Sequence, residues 1–422
     1  MSFLTLDIEK PAAGGRMLAR HNGQVVLVSG AIPGERVAAR LERTERGVAF
    51  ADVVEILQAS ADRRATAGEA RCGGNVFSHI EYPRQLLLKG EIIQDAFRRI
   101  GRLPLAEAPS VIGSPEHGYR MRARLHASAG RIGFYLEGSH QICDVATTGQ
   151  LLPVTCDWIA DAQRRLDTNA LRDIAAIEIA ENIPGEQRAC HLELHASGEP
   201  SRYAAIADGL VGLSSERGDR PGVVRIAGVP SLVDSIQVDD DPTHVLSISR
   251  DVRAFFQGNR FLVERLVHRV IQLVPRRPVI DLYAGVGLFG LALAAAGREP
   301  IACVEGDPIA GSDLVRNAEP FGGRVTAVRR SVEAYVGSIN PRDVADATFV
   351  VDPPRTGISK DALARITGLQ PPRVVYVSCD VATLARDTRV LYDAGYRLSD
   401  VSGIDLFPNT AHVESVAVLE RD

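Results

Sequence analysis

Pro278-Val-Ile-Asp-Leu-Tyr-Ala-Gly-Val-Gly-Leu-Phe-Gly290 is the stretch that decides the fold. It opens as a short apolar strand, Pro278–Leu282, turns through a glycine loop and enters a helix that runs through Ala296. Gly285 and Gly287 let the backbone turn tightly and come close to a ligand. Outward from it the texture is regular. A helix covers Phe261–Val274, and strands follow at Pro300–Val304, Val325–Val328, Ala347–Val351 and Arg373–Val377, with helical patterns between them. Such alternation implies α/β architecture with a mostly parallel sheet covered on both faces. Ligands then bind at the carboxyl ends of the strands.

Those strand ends carry the chemistry. Glu305, about 20 residues beyond the loop, follows Val304 and suits a ribose diol. A glycine loop with an acidic strand end points to a nucleoside cofactor. Asp352-Pro-Pro-Arg355 ends the fourth strand, and its prolines hold an extended backbone that presents the preceding side chain. Base amino-methylating enzymes place an aromatic residue where Arg355 stands, so the pattern points away from amine chemistry. Cys379 closes the next strand just before a helical pattern, where a thiolate is favoured. Cys72, Cys143, Cys156, Cys190 and Cys303 read instead as buried core thiols. Glu414 interrupts the apolar run His412–Leu419, a costly place for a carboxylate without a partner or a role. His412 reads as a supporting residue.

The chain before residue 258 reads differently. Gln24–Val28, Glu35–Leu41 and Phe50–Leu57 are short strands broken by Asn22-Gly23 and Pro33-Gly34, as in a small five-stranded barrel of the kind that binds oligonucleotides. Residues 61–71 are small and polar, as in a linker. A helix is predicted over Tyr82–Ile100. Beyond it β-like segments at Arg120–His126, Arg131–Leu136, Cys190–His195, Arg202–Ile206, Val223–Ile226 and His244–Ile248 give an α+β texture.

The bulk numbers set limits. A chain of 422 residues exceeds one compact core and implies two or three domains. A net charge of −5 argues against indiscriminate nucleic-acid binding but permits local basic surfaces, such as Arg98, Arg99 and Arg102 or Arg120, Arg122 and Arg124. No apolar run nears the ~20 residues of a membrane span. Six scattered cysteines make no disulfide framework, and the start lacks a signal peptide, so a reducing cytoplasm is expected.

Together these residues resemble the RNA uridine-5-methyltransferase family, which uses S-adenosylmethionine. The resemblance covers nearly the whole chain. It is carried by the leading TRAM-like β-module, Gly118-Tyr-Arg, Ile132-Gly-Phe-Tyr, Phe255-Phe-Gln-Gly-Asn, the glycine loop, Asp352-Pro-Pro-Arg, Val377-Ser-Cys-Asp with Thr383-Leu-Ala-Arg-Asp, and Phe407-Pro-x-Thr-x-His-x-Glu. It implies a Rossmann-like methyltransferase domain over 251–422, a central α+β RNA-binding domain over 72–250, and an OB/TRAM-like barrel over 1–60. Cys379 becomes the nucleophile and Glu414 the base. Gln257, Tyr283, Gly285, Gly287, Glu305 and Asp352 frame the cofactor. Arg120, Arg122 and Arg355 hold RNA, and Phe255 or Phe256 stacks on a flipped base. The substrate is expected to be ribosomal rather than transfer RNA, and the protein a monomer.

The chain departs from the family at two places, the first being the glycine loop, where Ala284 and Leu288 stand at positions that relatives often fill with Cys and Asn. At the second, relatives carry an iron–sulfur cluster on four cysteines, whereas Thr66, Asn75 and Thr148 stand at or near three of those positions and only Cys72 remains, so no cluster is expected. Two other readings remain open: a catalytically silent RNA-binding or assembly factor, and a methyltransferase acting on a transfer RNA uridine, a cytosine or a base amine.

Overall fold

The computed structural model describes residues 3–421 apart from positions 13, 67, 70, 240 and 242, and Pro221 through its backbone only. Ala67 and Ala70 of the expected linker therefore lie outside the described residues. The strand that leads into the glycine loop, Val279–Leu282, lies inside an eight-stranded sheet. It pairs in parallel with Ile301–Glu305 on one side and Thr348–Val351 on the other. Val325–Arg329 and Arg373–Ser378 extend the parallel array outward. These strands are almost wholly apolar because both faces are covered. Helices Val263–Leu273, Leu288–Ala295 and Pro308–Ala318 pack on one face. Lys360–Leu369, Val381–Asp393 and the long helix Tyr82–Ala96 pack on the other.

Beyond Arg373–Ser378 the sheet changes direction. The last strand, Glu414–Glu420, inserts antiparallel between Arg373–Ser378 and Arg397–Ile404. Val111–Ile112, from much earlier in the chain, pairs with the end of Arg397–Ile404.

The N-terminal strands Phe3–Pro11, Met17–His21, Gln24–Ser29, Arg36–Glu45 and Val48–Gln58 close into a barrel. Between barrel and C-terminal sheet lies a seven-stranded sheet that includes Arg122–Ser128, Ile174–Glu181 and Arg188–Leu194. The expected β segment Arg202–Ile206 is instead a 3₁₀ helix, Pro200–Ile206. Its buried residues Tyr203 and Ile206 are three apart, which is the 3₁₀ repeat and not the strand repeat. The long helix ends at Ala96 in a π-helical turn, Phe97–Gly101. Nor are residues 61–71 a free tether. Arg63 donates to both oxygens of buried Glu35 in the barrel, at 2.6 and 2.7 Å, and Arg64 pairs with Glu116. Among the described residues no helix is long and apolar enough to cross a membrane.

The cysteines correct one expectation. Cys72 and Cys143 are joined by a disulfide, both buried, while Cys156, Cys190, Cys303 and Cys379 are free. The backbone explains the meeting: Cys72 bridges to Leu136, and Gly73 N donates to Tyr135 O, so this turn is docked on the strand next to Ile142–Cys143. Thiol titration of the unfolded, unreduced protein should therefore find four thiols, and six after reduction. Reduction should also lower stability by about 4 kcal/mol, the loop-closure value for a bond spanning 71 residues. Six thiols before reduction would remove the cross-link.

Candidate active site

Sheet register brings the two central residues together. Ser378 lies opposite Ser415 in the antiparallel pair, so the next residues outward, Cys379 and Glu414, face each other across the carboxyl edge. Asp352 ends the neighbouring strand Thr348–Val351 on the same edge. Arg355 follows it after two prolines and is exposed.

Burial sets the charge states here. The Cys379 thiol is pushed up to about 11, first by burial and then by the Glu414 and Asp352 carboxylates, while Arg355 pulls it down by charge and hydrogen bond. That corrects the expected helix-favoured thiolate. Asp380 caps the helix by accepting from Ala382 N at 3.0 Å and Thr383 N at 2.8 Å, placing an anion at the positive end. What remains of the dipole is smaller than the desolvation of the thiol. Glu414 is buried, and its Oε1 has no hydrogen-bond partner. Its carboxyl is held well above the usual range by burial and then by Asp352, with Arg355 opposing. Asp352 is pushed up to about 7 by burial, against a hydrogen bond from Gln257 Nε2 at 3.0 Å. Carboxyls crowded on one buried edge hold protons that isolated ones release.

The glycine loop forms the adjoining wall. Gly285 and Gly287 have φ of +57° and +100°. A Cβ on Gly287 would meet Leu291 Cδ1 at 2.6 Å, whereas one on Gly285 would have only Phe255 O, at 4.0 Å. The loop is thus tight on its inner side and open above Gly285. Tyr283, with φ of +63°, holds a left-handed conformation that costs a bulky residue about 1–3 kcal/mol, a kind of strain that clusters at ligand sites. Glu305 braces the loop: Oε2 accepts from Gly285 N at 2.8 Å and Oε1 from Asp307 N at 2.6 Å. Asp281, which sequence reasoning passed over, is buried beneath them. Its Oδ2 accepts from Gly290 N at 2.7 Å, and burial pushes its carboxyl up to about 8. The available signal was an acid inside an otherwise apolar strand. An open space over Gly285, with carboxyl groups on two strand ends, fits a cationic nucleoside such as S-adenosylmethionine.

The residues assigned to RNA divide. Phe255 is 60% exposed beside the site. Phe256 is 3% exposed and has the Arg250 guanidinium 4.4 Å from its ring centroid, so it belongs to the core and has no face for a base. Arg120 donates to Gln150 Oε1 at 2.7 Å and to Arg122 O at 2.8 Å, and Arg122 pairs with Glu178. Arg124 is held by Glu178 and Glu193. Arg122 and Arg124 are therefore ion-paired and Arg120 is taken up in neutral hydrogen bonds, so the cluster is no bare basic patch. His412 lies at the edge against Phe407, and burial followed by the Arg355 and Lys89 charges holds it below the usual imidazole range.

An iron–sulfur cluster does not fit. Cys72 is consumed by Cys143, Asn75 Nδ2 donates to Glu69 O, and Thr148 Oγ1 donates to Val145 O. Among the described residues no group of three or more His, Cys, Asp or Glu is placed to hold a metal.

A doubly covered sheet with a glycine loop, an antiparallel last strand and a leading barrel defines an S-adenosylmethionine-dependent methyltransferase attached to an RNA-binding module. Comparison with known proteins agrees. Residues 232–422 match the family described as tRNA (Uracil-5-)-methyltransferase, and residues 2–54 match the TRAM domain. The chain is 32% identical over 445 residues to the 23S rRNA (uracil(1939)-C(5))-methyltransferase RlmD of Methylococcus capsulatus, covering 99% of this chain and 97% of that one. It is 30% identical over 453 residues to an uncharacterised RNA methyltransferase of Halalkalibacterium halodurans, covering 98% and 96%. The crystal structure of the tRNA (uracil-54, C5)-methyltransferase of Pyrococcus abyssi with S-adenosyl-L-homocysteine has a TM-score of 0.73 at 22% identity, covering 99% of this chain and all of that one, a likeness of fold. The chain belongs to the RNA (uracil-C5)-methyltransferase family, whose methyl donor is S-adenosylmethionine.

The electrostatics predict the reactivity of Cys379. With its pKa near 11, alkylation of Cys379 by iodoacetamide should be slow at pH 7 and climb steadily to pH 10. Arg355→Ala removes a lowering influence and should shift the curve further up. Peptide mapping by mass spectrometry reads both; a curve centred below pH 8 would contradict the burial argument.

Proposed function

We propose that this protein methylates C5 of one uridine in ribosomal RNA through a covalent bond between Cys379 and C6. The observation that carries the reading is the register that sets Cys379 opposite Glu414, with Asp352 and Arg355 on the same edge. Uracil C5 is a poor nucleophile. Cys379 and Glu414 first release their protons to solvent, a loss that the Arg355 charge favours at both; addition of the resulting thiolate to C6 turns the ring into an enolate whose electron density lies on C5. Arg355 stabilises that thiolate, and Phe255 offers a face to a base taken out of its stack. S-adenosylmethionine, held by Gln257, Tyr283, Gly285, Gly287, Glu305 and Asp352, supplies an electrophilic methyl group. Glu414 then takes the C5 proton, and the Sγ–C6 bond breaks as the ring regains its double bond. The burial that raises the Glu414 carboxyl also makes its ionised form a stronger base.

The ribosomal assignment rests on relatives named as 23S rRNA enzymes at 31–32% identity over nearly the whole chain. The barrel and the central sheet serve as RNA-binding units, and the protein works as a monomer in the cytoplasm, where the ribosomal RNA that its relatives act on lies.

Cys379→Ala should abolish methyl transfer yet keep S-adenosylmethionine affinity, while Glu414→Gln should trap a denaturation-resistant protein–RNA adduct. Turnover by Cys379→Ala would sink the covalent mechanism. Mapping 5-methyluridine in a deletion strain should show one position lost from 23S RNA; loss from transfer RNA instead would move the substrate. On the barrel, Arg43 lies over the Phe50 ring at 4.2 Å, with exposed Arg46 nearby in sequence. The double variant Arg43→Ala/Arg46→Ala should weaken RNA binding and reduce the log–log salt slope by roughly one unit for each phosphate contact removed. An unchanged slope would make these residues structural.

A further inference from the structure

Glu414 stands at the end of a loop, Asp405–Val413, that leaves the sheet at Ile404 and returns at Glu414, its partner in the ladder. Asp405 N donates to Ile112 O in the same sheet, and other parts of the chain reach the loop as well, but its buried charged and amide anchors come from the long helix Tyr82–Ala96, more than 300 residues earlier in the chain. Lys89 and Asp405 are both 0% exposed and form an ion pair. The same Lys89 Nζ donates to Phe407 O at 2.9 Å, and Tyr82 Oη donates to Asp405 Oδ2 at 3.0 Å.

One turn earlier on the helix, buried Gln85 holds Asn409 from both sides. Its Oε1 accepts from Asn409 N at 3.0 Å, and its Nε2 donates to Asn409 Oδ1 at 2.9 Å. Asn409 has φ of +62°, a left-handed conformation that such bonds keep in place. From there the chain of contacts runs toward the site. Phe407 O accepts from Thr410 Oγ1 at 2.7 Å, and Thr410 Oγ1 accepts from His412 N at 3.2 Å, two residues before Glu414.

A lysine with no solvent exposure is rare without a purpose, because desolvating its charge is expensive. An apolar side chain would fill the space at less cost but could not hold Asp405 and Phe407 O together. We propose that Lys89 and Gln85 are positioning residues for Glu414, fixing the loop that aims its carboxyl at the substrate. The inference rests on the reading of Glu414 as the base that removes the C5 proton.

Lys89→Met keeps the stem and deletes the ammonium; Gln85→Leu keeps the volume and deletes both hydrogen bonds to Asn409, along with those that Nε2 gives to Phe77 O and Ile80 O. Displacing a catalytic group by about 1 Å costs on the order of a hundredfold in rate. Each variant should therefore lower kcat, by up to that factor for Lys89→Met, with the apparent KM for RNA falling alongside it so that kcat/KM holds, and with S-adenosylmethionine affinity within twofold of the parent. Because proton removal follows methyl transfer, both should accumulate the protein–RNA adduct during turnover, which a merely looser fold would not do. Glu414→Gln run alongside separates the two layers. If it traps no adduct, the role of Glu414 is wrong. If it traps adduct while Gln85→Leu and any folded Lys89→Met protein turn over normally, or slow without adduct, the positioning role fails alone. Should Lys89→Met not fold, Gln85→Leu decides.

Discussion

The carboxyl edge depends on the antiparallel insertion of Glu414–Glu420 between Arg373–Ser378 and Arg397–Ile404. A strand alternates its side chains between two faces, so a slip of one residue would turn Glu414 away from Cys379 and Ser415 toward it. Register therefore decides which side chain Cys379 meets across this edge. It is protected by the strand itself: Val416, Ala417, Val418 and Leu419 are all buried, with helices against both faces. A slip would exchange the faces those side chains fill, and each one forced into space shaped for another costs about 1–3 kcal/mol in mispacking. Apolar packing over the rest of the strand thus holds a desolvated acid where isolated chemistry would not put one.

The three parts of the chain are not beads on a string. Arg63 inserts its guanidinium at the barrel's buried Glu35, and Arg64 reaches Asn409 Oδ1 at 3.0 Å in the C-terminal loop. Tyr119, ahead of the central sheet, donates to Pro408 O, and Asn259 donates to Leu406 O. The loop that precedes Glu414 is thus gripped from several sequence regions at once. Buried polar networks of this kind tolerate little displacement, since any partner removed leaves another unsatisfied. The barrel's attachment to the linker and the site's geometry are therefore mechanically connected, through the short run from Arg63 to Gln85.

Much of this was legible in the sequence because local rules carry it. Prolines, glycines and apolar runs place the strand and loop at 278–290, and the barrel signals at Asn22-Gly23 and Pro33-Gly34 mark real turns. What was not legible is non-local. Phe255 and Phe256 are equivalent in sequence, and only the fold shows that Arg250 covers the second. Cys72 and Cys143 look like separate core thiols until the turn at Gly73 docks beside Tyr135. The basic look of Arg122 and Arg124 disappears once Glu178 and Glu193, from other strands, lie across the sheet from them. The sign of the Cys379 shift was missed for the same reason: a helix start is visible in sequence, whereas burial and facing carboxyls are not.

The raised carboxyls have a thermodynamic consequence. Asp281, near 8, and Asp352, near 7, both bind protons more tightly folded than unfolded, where the ordinary value is 3.8. A raised acid contributes stability that is fully present below the unfolded pKa and is lost as pH climbs through the folded one. Across pH 4–8 the fold therefore gives up stability to keep an uncharged acidic edge. A cation placed beside these groups favours their ionised forms and so recovers part of that loss. The same burial that disfavours charge in the free protein gives a sulfonium ligand a larger electrostatic effect than it would have in water. The edge is less stable than it needs to be for folding alone, and under the proposed placement of the methyl donor the deficit is matched in sign to its sulfonium charge.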